Sequence, residues 1–204
     1  MTSAAATIKK PKVIHPRWVR VTHWLNALAM IVMIGSGWQI YNASPIFDFT
    51  FPRSITLGGW LAGGIMWHFA AMWLLVGNGL VYLTLGIMSG RFRRKLFPVR
   101  FGELIATVKD ALTFRLKHDD LSVYNAVQRV LYLGVICAGI VIVLSGLSIW
   151  KPMQLQELTA LFGGYDNARV VHFLAMSAIV GFLIVHVLLA VLVPKSLKAM
   201  IIGR

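Results

Sequence analysis

One cysteine in 204 residues, and charged side chains at only 13%, narrow the chemistry before any motif is read. Cys137 alone excludes an intrachain disulfide, a CxxCH attachment site for c-type haem and a chain-encoded iron–sulfur cluster. A soluble domain carries about twice that share of charge. Acidic residues are scarcest, seven in all, and none falls within the apolar runs described next. Ion carriers and proton pumps normally place a carboxylate there, so that class loses ground. No internal repeat and no low-complexity stretch stands out.

What is present is apolar. Hydrophobic residues make up 58% of the chain, with a mean hydropathy of +0.74. They fall in four blocks, about 22–41, 55–88, 122–150 and 169–193, each long enough as a helix to span about 30 Å of hydrocarbon. The expected fold is an all-α integral membrane protein, one four-helix bundle over residues 1–204. The second block is overlong, so its "ITLGGWLAGG" start is expected to project from the bilayer or lie at its surface.

A net charge of +13 suggests nucleic acid until its placement is read. Of twenty basic residues, five precede or open the first span, nine lie between the second span and the start of the third, and three are in the tail. Only Arg53, Lys151 and Arg169 lie on the other side. By the positive-inside rule both termini and the 89–121 loop are cytoplasmic. The excess also suits anionic lipid headgroups, and no nucleic-acid motif accompanies it. "MTSAAATIKKPK" leads into a full-length span and reads as no cleaved signal. "FGELIATVKDALTFRLK" has the spacing of a surface-lying amphipathic helix, or of an ordinary connecting one.

Four of the six histidines lie inside the spans, where an ionisable group is costly and faces a bundle interior or cavity. His15 and His118 are expected in cytoplasmic segments. His68 precedes Arg91 by 23 residues and His172 precedes Pro194 by 22. At about 1.5 Å per residue both stand about 33 Å from the cytoplasmic ends of their spans. His186 is eight residues before Pro194, and His23 three after Arg20, so both are near the cytoplasmic face. The four resolve into two pairs at two depths, with the fourth span contributing to both. Paired imidazoles in a bundle suit haem b, which takes two axial histidines from facing helices. Zinc would want further ligands that are missing at those depths. Gly35, Gly37, Gly63, Gly64, Gly139, Gly146 and Gly181 would admit a flat macrocycle, or simply pack helices. Arg17, Arg20, Arg129 and Arg169, at span ends, could pair with propionates or anchor the helices.

The opening "HPRWVRVTHWLNALAMIVMIGSGWQIYN" resembles the R-x-x-H-W…SGW start of bacterial di-haem b-type cytochromes. These are the membrane subunits of nickel–iron hydrogenases, formate dehydrogenases and thiosulfate reductases, and the small cytochrome b-561 type. The resemblance covers about residues 14–194. It implies that His23 and His186 hold a cytoplasmic haem, and His68 and His172 a periplasmic one. "SVYNAVQRVLY" is similar to the Y-N-x-x-Q segment of formate dehydrogenase b subunits. That implies quinone binding by Tyr124, Asn125 and Gln128, with His186 at the edge and His118, Asp119 and Asp120 exchanging protons; a polar helix start is the plainer alternative. The "NALAMIVMIGSGWQIYNASPIF" stretch looks nearest the thiosulfate-reductase type.

The function expected is electron transfer across the inner membrane. It would run between ubiquinone or menaquinone near the cytoplasmic face and a periplasmic redox protein: a molybdopterin oxidoreductase, a hydrogenase or a soluble cytochrome. No catalytic residue is assigned. The periplasmic segments, about 42–54 and 151–168, are too short for a further redox centre. A stand-alone superoxide:quinone oxidoreductase is the alternative, with Lys151 and Arg169 steering the anion. A cofactor-free membrane anchor ranks lower.

Overall fold

The computed structural model describes residues 13–96, 102, 105 and 126–203. Among them, four helices are long and apolar enough to cross a membrane: α1 Arg17–Ala43, α2 Leu61–Met88, α4 Ala126–Trp150 and α6 Tyr165–Leu192. Shorter α-helices among the described residues are α3 Arg91–Leu96, α5 Gln156–Leu161 and α7 Pro194–Ile202. The expected surface helix over 101–117 lies outside the described residues except at 102 and 105.

Helix ends follow local chemistry. Pro194 stops α6 because proline excludes the helical conformation from the residue before it; Val193 accordingly sits at φ −121°, ψ 75°. The same proline opens α7, where its missing N–H costs nothing. Gly203, at φ +91°, closes α7 in the left-handed conformation that glycine adopts freely. Its carbonyl accepts the Ile14 N–H at 2.9 Å, so the two ends of the described chain meet. We call this the terminal end of the bundle, and the opposite one the loop end.

The helices form two antiparallel hairpins, α1 along α2 and α4 along α6. Small residues permit the close approach: a side chain at Gly64 would collide with Gln39, and Ala29 and Ala168 are wholly enclosed. Between hairpins the backbones stay farther apart, and side chains such as Met30, packed on Ile142, Ala175 and Ile179, fill the space. Near the terminal end Asn78 binds α2 to α1. Its Nδ2 donates to the Thr22 carbonyl at 2.8 Å and to Asn26 Oδ1 at 2.6 Å. Such bonds between membrane helices contribute about 0.6–2 kcal/mol. Asn78→Leu is therefore expected to destabilise the protein by about 1 kcal/mol, read as a small fall in the unfolding temperature in detergent.

At the loop end α2 starts later than residue 55, where the second apolar block begins. Residues 55–60 do not extend α2, which begins at Leu61. Gly58 and Gly59, at φ +114° and +71°, turn the chain back against α1. The Leu57 N–H reaches the Gly35 carbonyl at 2.9 Å, and Thr56 Oγ1 reaches Gln39 Oε1 at 2.9 Å. Gly35 is eight residues inside α1, about 12 Å along its axis. Irregular backbone at that depth persists only where its polar groups are satisfied. Beside this hook an aromatic cover forms. The Asn42 side chain exchanges two 2.8 Å bonds with the Phe51 backbone, Trp38 stacks on Phe51 at 4.7 Å, and Tyr41 and Phe47 pack against Phe173 at 5.1 and 5.3 Å.

Candidate paired-histidine centres

The fold brings the four intramembrane histidines together across the two hairpins. The ring of His23, on α1, lies 6.0 Å from that of His186, on α6. The ring of His68, on α2, lies 6.4 Å from that of His172, also on α6. Two imidazoles binding opposite sides of one metal at about 2.0 Å per nitrogen place their ring centres about 6 Å apart. Among the described residues, no three His, Cys, Asp or Glu side chains converge as a protein-only metal site would need. Two nitrogens per site suit a metal whose remaining ligands come from a macrocycle.

The loop-end pair is held by hydrogen bonds. His172 Nδ1 lies 3.0 Å from the Ile142 carbonyl and 3.1 Å from Ser145 Oγ. A carbonyl only accepts, so Nδ1 carries the proton and Nε2 keeps its lone pair, the form that binds metal. Ser145 Oγ donates to the Val141 carbonyl at 2.7 Å, which leaves it to accept from the imidazole. His68 has the same arrangement on the other hairpin. Ser36 Oγ donates to the Val32 carbonyl at 2.6 Å and stands 3.0 Å from His68 Nδ1. The following glycines make room for the rings: a Cβ at Gly37 would lie 3.3 Å from His68 Cε1, and one at Gly146 3.2 Å from His172 Cε1.

The terminal-end pair is held differently. His23 Nδ1 is buried without a hydrogen-bond partner among the described residues, and Trp24 meets the ring edge-on at 5.1 Å. Phe182 stacks on His186 at 5.5 Å.

The two arginines stand one helical turn outside each pair, in the repeated sequences "RVTH" (20–23) and "RVVH" (169–172). Arg20 Nη1 donates to the Ile201 carbonyl at 2.9 Å, and its buried Nε has no partner among the described residues. Arg169 Nη2 donates to the Ser44 carbonyl at 2.5 Å and to Ser44 Oγ at 3.1 Å. Both therefore also tie the chain together at its two faces. Gln128 lies half-buried in the first turn of α4. Tyr124, Asn125, His118, Asp119 and Asp120 lie outside the described residues.

Sequence reading missed the Ser-Gly pairs at 36–37 and 145–146. The separations hide them: Ser36 to His68 spans 32 positions, and Ser145 to His172 spans 27.

The family model described as prokaryotic cytochrome b561 matches residues 14–203. The chain is also 55% identical over 191 residues, 94% of its length and 96% of the relative's, to a protein of Azospira oryzae. That relative is provisionally named protein-methionine-sulfoxide reductase subunit YedZ1.

Proposed function

The chain belongs to the prokaryotic cytochrome b561 family, and on that premise we propose a di-haem electron carrier of the bacterial inner membrane. It would link a quinone at the cytoplasmic face to a redox partner in the periplasm. Membership makes it a multi-pass membrane haem protein. The observation that carries the finer reading is the pair of ring separations, 6.0 and 6.4 Å, at two levels of one bundle.

In this reading His23 and His186 hold one haem b, and His68 and His172 hold the other. Bound there, each haem supplies a one-electron iron couple. The protein supplies binding, orientation and shielding. On α6 the two ligands are 14 residues apart, about 21 Å of helix. Arg20 and Arg169 offer cationic N–H groups for propionates at the two faces. Tyr124, Asn125 and Gln128 would receive the quinone head beside His186. Phe47, Phe51, Tyr41 and Phe173 pack together at the loop end, and Phe173 is next to His172 in sequence. By the positive-inside rule the terminal end is cytoplasmic.

The relative's name favours a reductase as partner over a hydrogenase. Reduction of a methionine sulfoxide takes two electrons and two protons and releases methionine and water. Electrons would thus run outward, from quinol to the periplasm. The test is a pyridine haemochromogen assay on the detergent-purified chain, followed by anaerobic quinol and then by the periplasmic reductase of the same bacterium. Two b haems per chain, reduced by quinol and reoxidised by the reductase with its sulfoxide, are expected. One haem or none would overturn the reading. A protein inert to quinol and reductase, yet rapidly reduced by superoxide, would transfer it to the stand-alone superoxide:quinone oxidoreductase class.

A further inference from the structure

The Ser-Gly pairs give the two histidine centres unequal surroundings. At the loop end both imidazoles have Nδ1 against an oxygen: Ser36 Oγ at 3.0 Å for His68, and Ser145 Oγ at 3.1 Å with the Ile142 carbonyl at 3.0 Å for His172. Each serine is fully buried, so no water competes for the bond. Each has its own proton committed to a carbonyl one turn back, which turns an oxygen lone pair toward the ring. Acceptors at Nδ1–H raise the electron density on Nε2 and make it a stronger donor to a metal. Stronger axial donors favour ferric over ferrous iron and lower the reduction potential. At the terminal end His23 Nδ1 has no such acceptor among the described residues, and the neighbouring rings, Trp24 and Phe182, are largely apolar.

We propose that Ser36 and Ser145 are positioning residues that fix the ring orientation and donor strength of His68 and His172, and that through them the loop-end haem is the lower-potential of the two. This rests on the di-haem reading above. The tests are optical redox titration and low-temperature EPR of the oxidised full-length protein, comparing wild type with Ser36→Ala, Ser145→Ala and the double variant. The lower midpoint is expected to rise in each single variant and further in the double. The higher midpoint should stay in place, and one of two low-spin ferric signals should move. Ser36→Thr and Ser145→Thr keep the hydroxyl and are expected to keep the wild-type midpoints. His172→Ala, which removes the loop-end centre, identifies the lower wave as the one that disappears.

Two haems with unmoved midpoints in the alanine variants would overturn the proposal. So would a shift confined to the wave that survives in His172→Ala. If an alanine variant loses its haem outright, the threonine variant decides: a wild-type midpoint supports the role, and a displaced one refutes it. Fewer than two haems in the wild-type chain is a separate outcome, which defeats the di-haem reading itself.

Discussion

His172→Ala is expected to halve the haem content, from two per chain to one, and to abolish electron delivery to the periplasmic partner. The imidazole is anchored by the Ile142 carbonyl and Ser145, and its loss leaves His68 facing empty space across the hairpin boundary. A single remaining axial nitrogen holds the group far less tightly. His186 lies 14 residues further along the same helix, against His23 and Phe182, and none of those contacts involves His172. The surviving centre should therefore keep its midpoint and its reduction by quinol. Haem analysis and a redox titration check both statements, and added imidazole should partly restore the lost centre. His186→Ala should give the mirror result, with loss of quinol reduction. Loss of both haems in every single variant would show that the pairs are not independent.

Gly58→Ala is expected to cost several kcal/mol and to leave little folded protein in the membrane. Two effects combine. At φ +114° an alanine pays the left-handed penalty of about 1–2 kcal/mol. Its Cβ would also overlap the backbone of Gly63 and Gly64, which the first turn of α2 holds in place. Relief requires the hook to move off the start of α2, which pulls the adjoining Leu57 N–H out of its bond to the Gly35 carbonyl. An unsatisfied N–H at membrane depth costs several kcal/mol more. Gly59→Ala is the control. Gly59 also has a positive φ, +71°, but its Cβ would meet nothing within 4 Å, so only the backbone penalty of about 1–2 kcal/mol remains. Thermal unfolding of the two variants in detergent should separate them widely. Equal losses would mean that the close approach of the hook to α2 is not what holds the loop end.

Both predictions concern the loop end, and for a shared reason. His68 is carried on α2, whose start is set by the 55–60 hook, and it is clasped by Ser36 and Gly37 of α1. The hook and the aromatic cover pack on the same stretch of α1, residues 35–41, that carries the clasp. Among the described residues no matching clasp is seen at His23, whose Nδ1 has no hydrogen-bond partner there.

The sequence by itself determined the four spanning helices and the levels of the histidines along them. A bilayer demands long apolar runs whose backbone bonds are internal to each segment, and a helix advances by a constant rise per residue, so both properties are local to the chain. Only the tertiary structure decided how the helices are rotated and how closely each pair approaches. Those two quantities place Ser36 against His68, Ser145 against His172, Asn78 against Thr22, and Arg169 against Ser44. They also end α2 at Leu61 rather than at residue 55. Hydropathy carries no phase between helices: a serine bonding only its own turn and one that also grips a histidine across a hairpin look the same in the sequence. The difference lies in an interhelical distance, which small residues such as Gly37 and Gly146 permit and which the packing of the whole bundle sets.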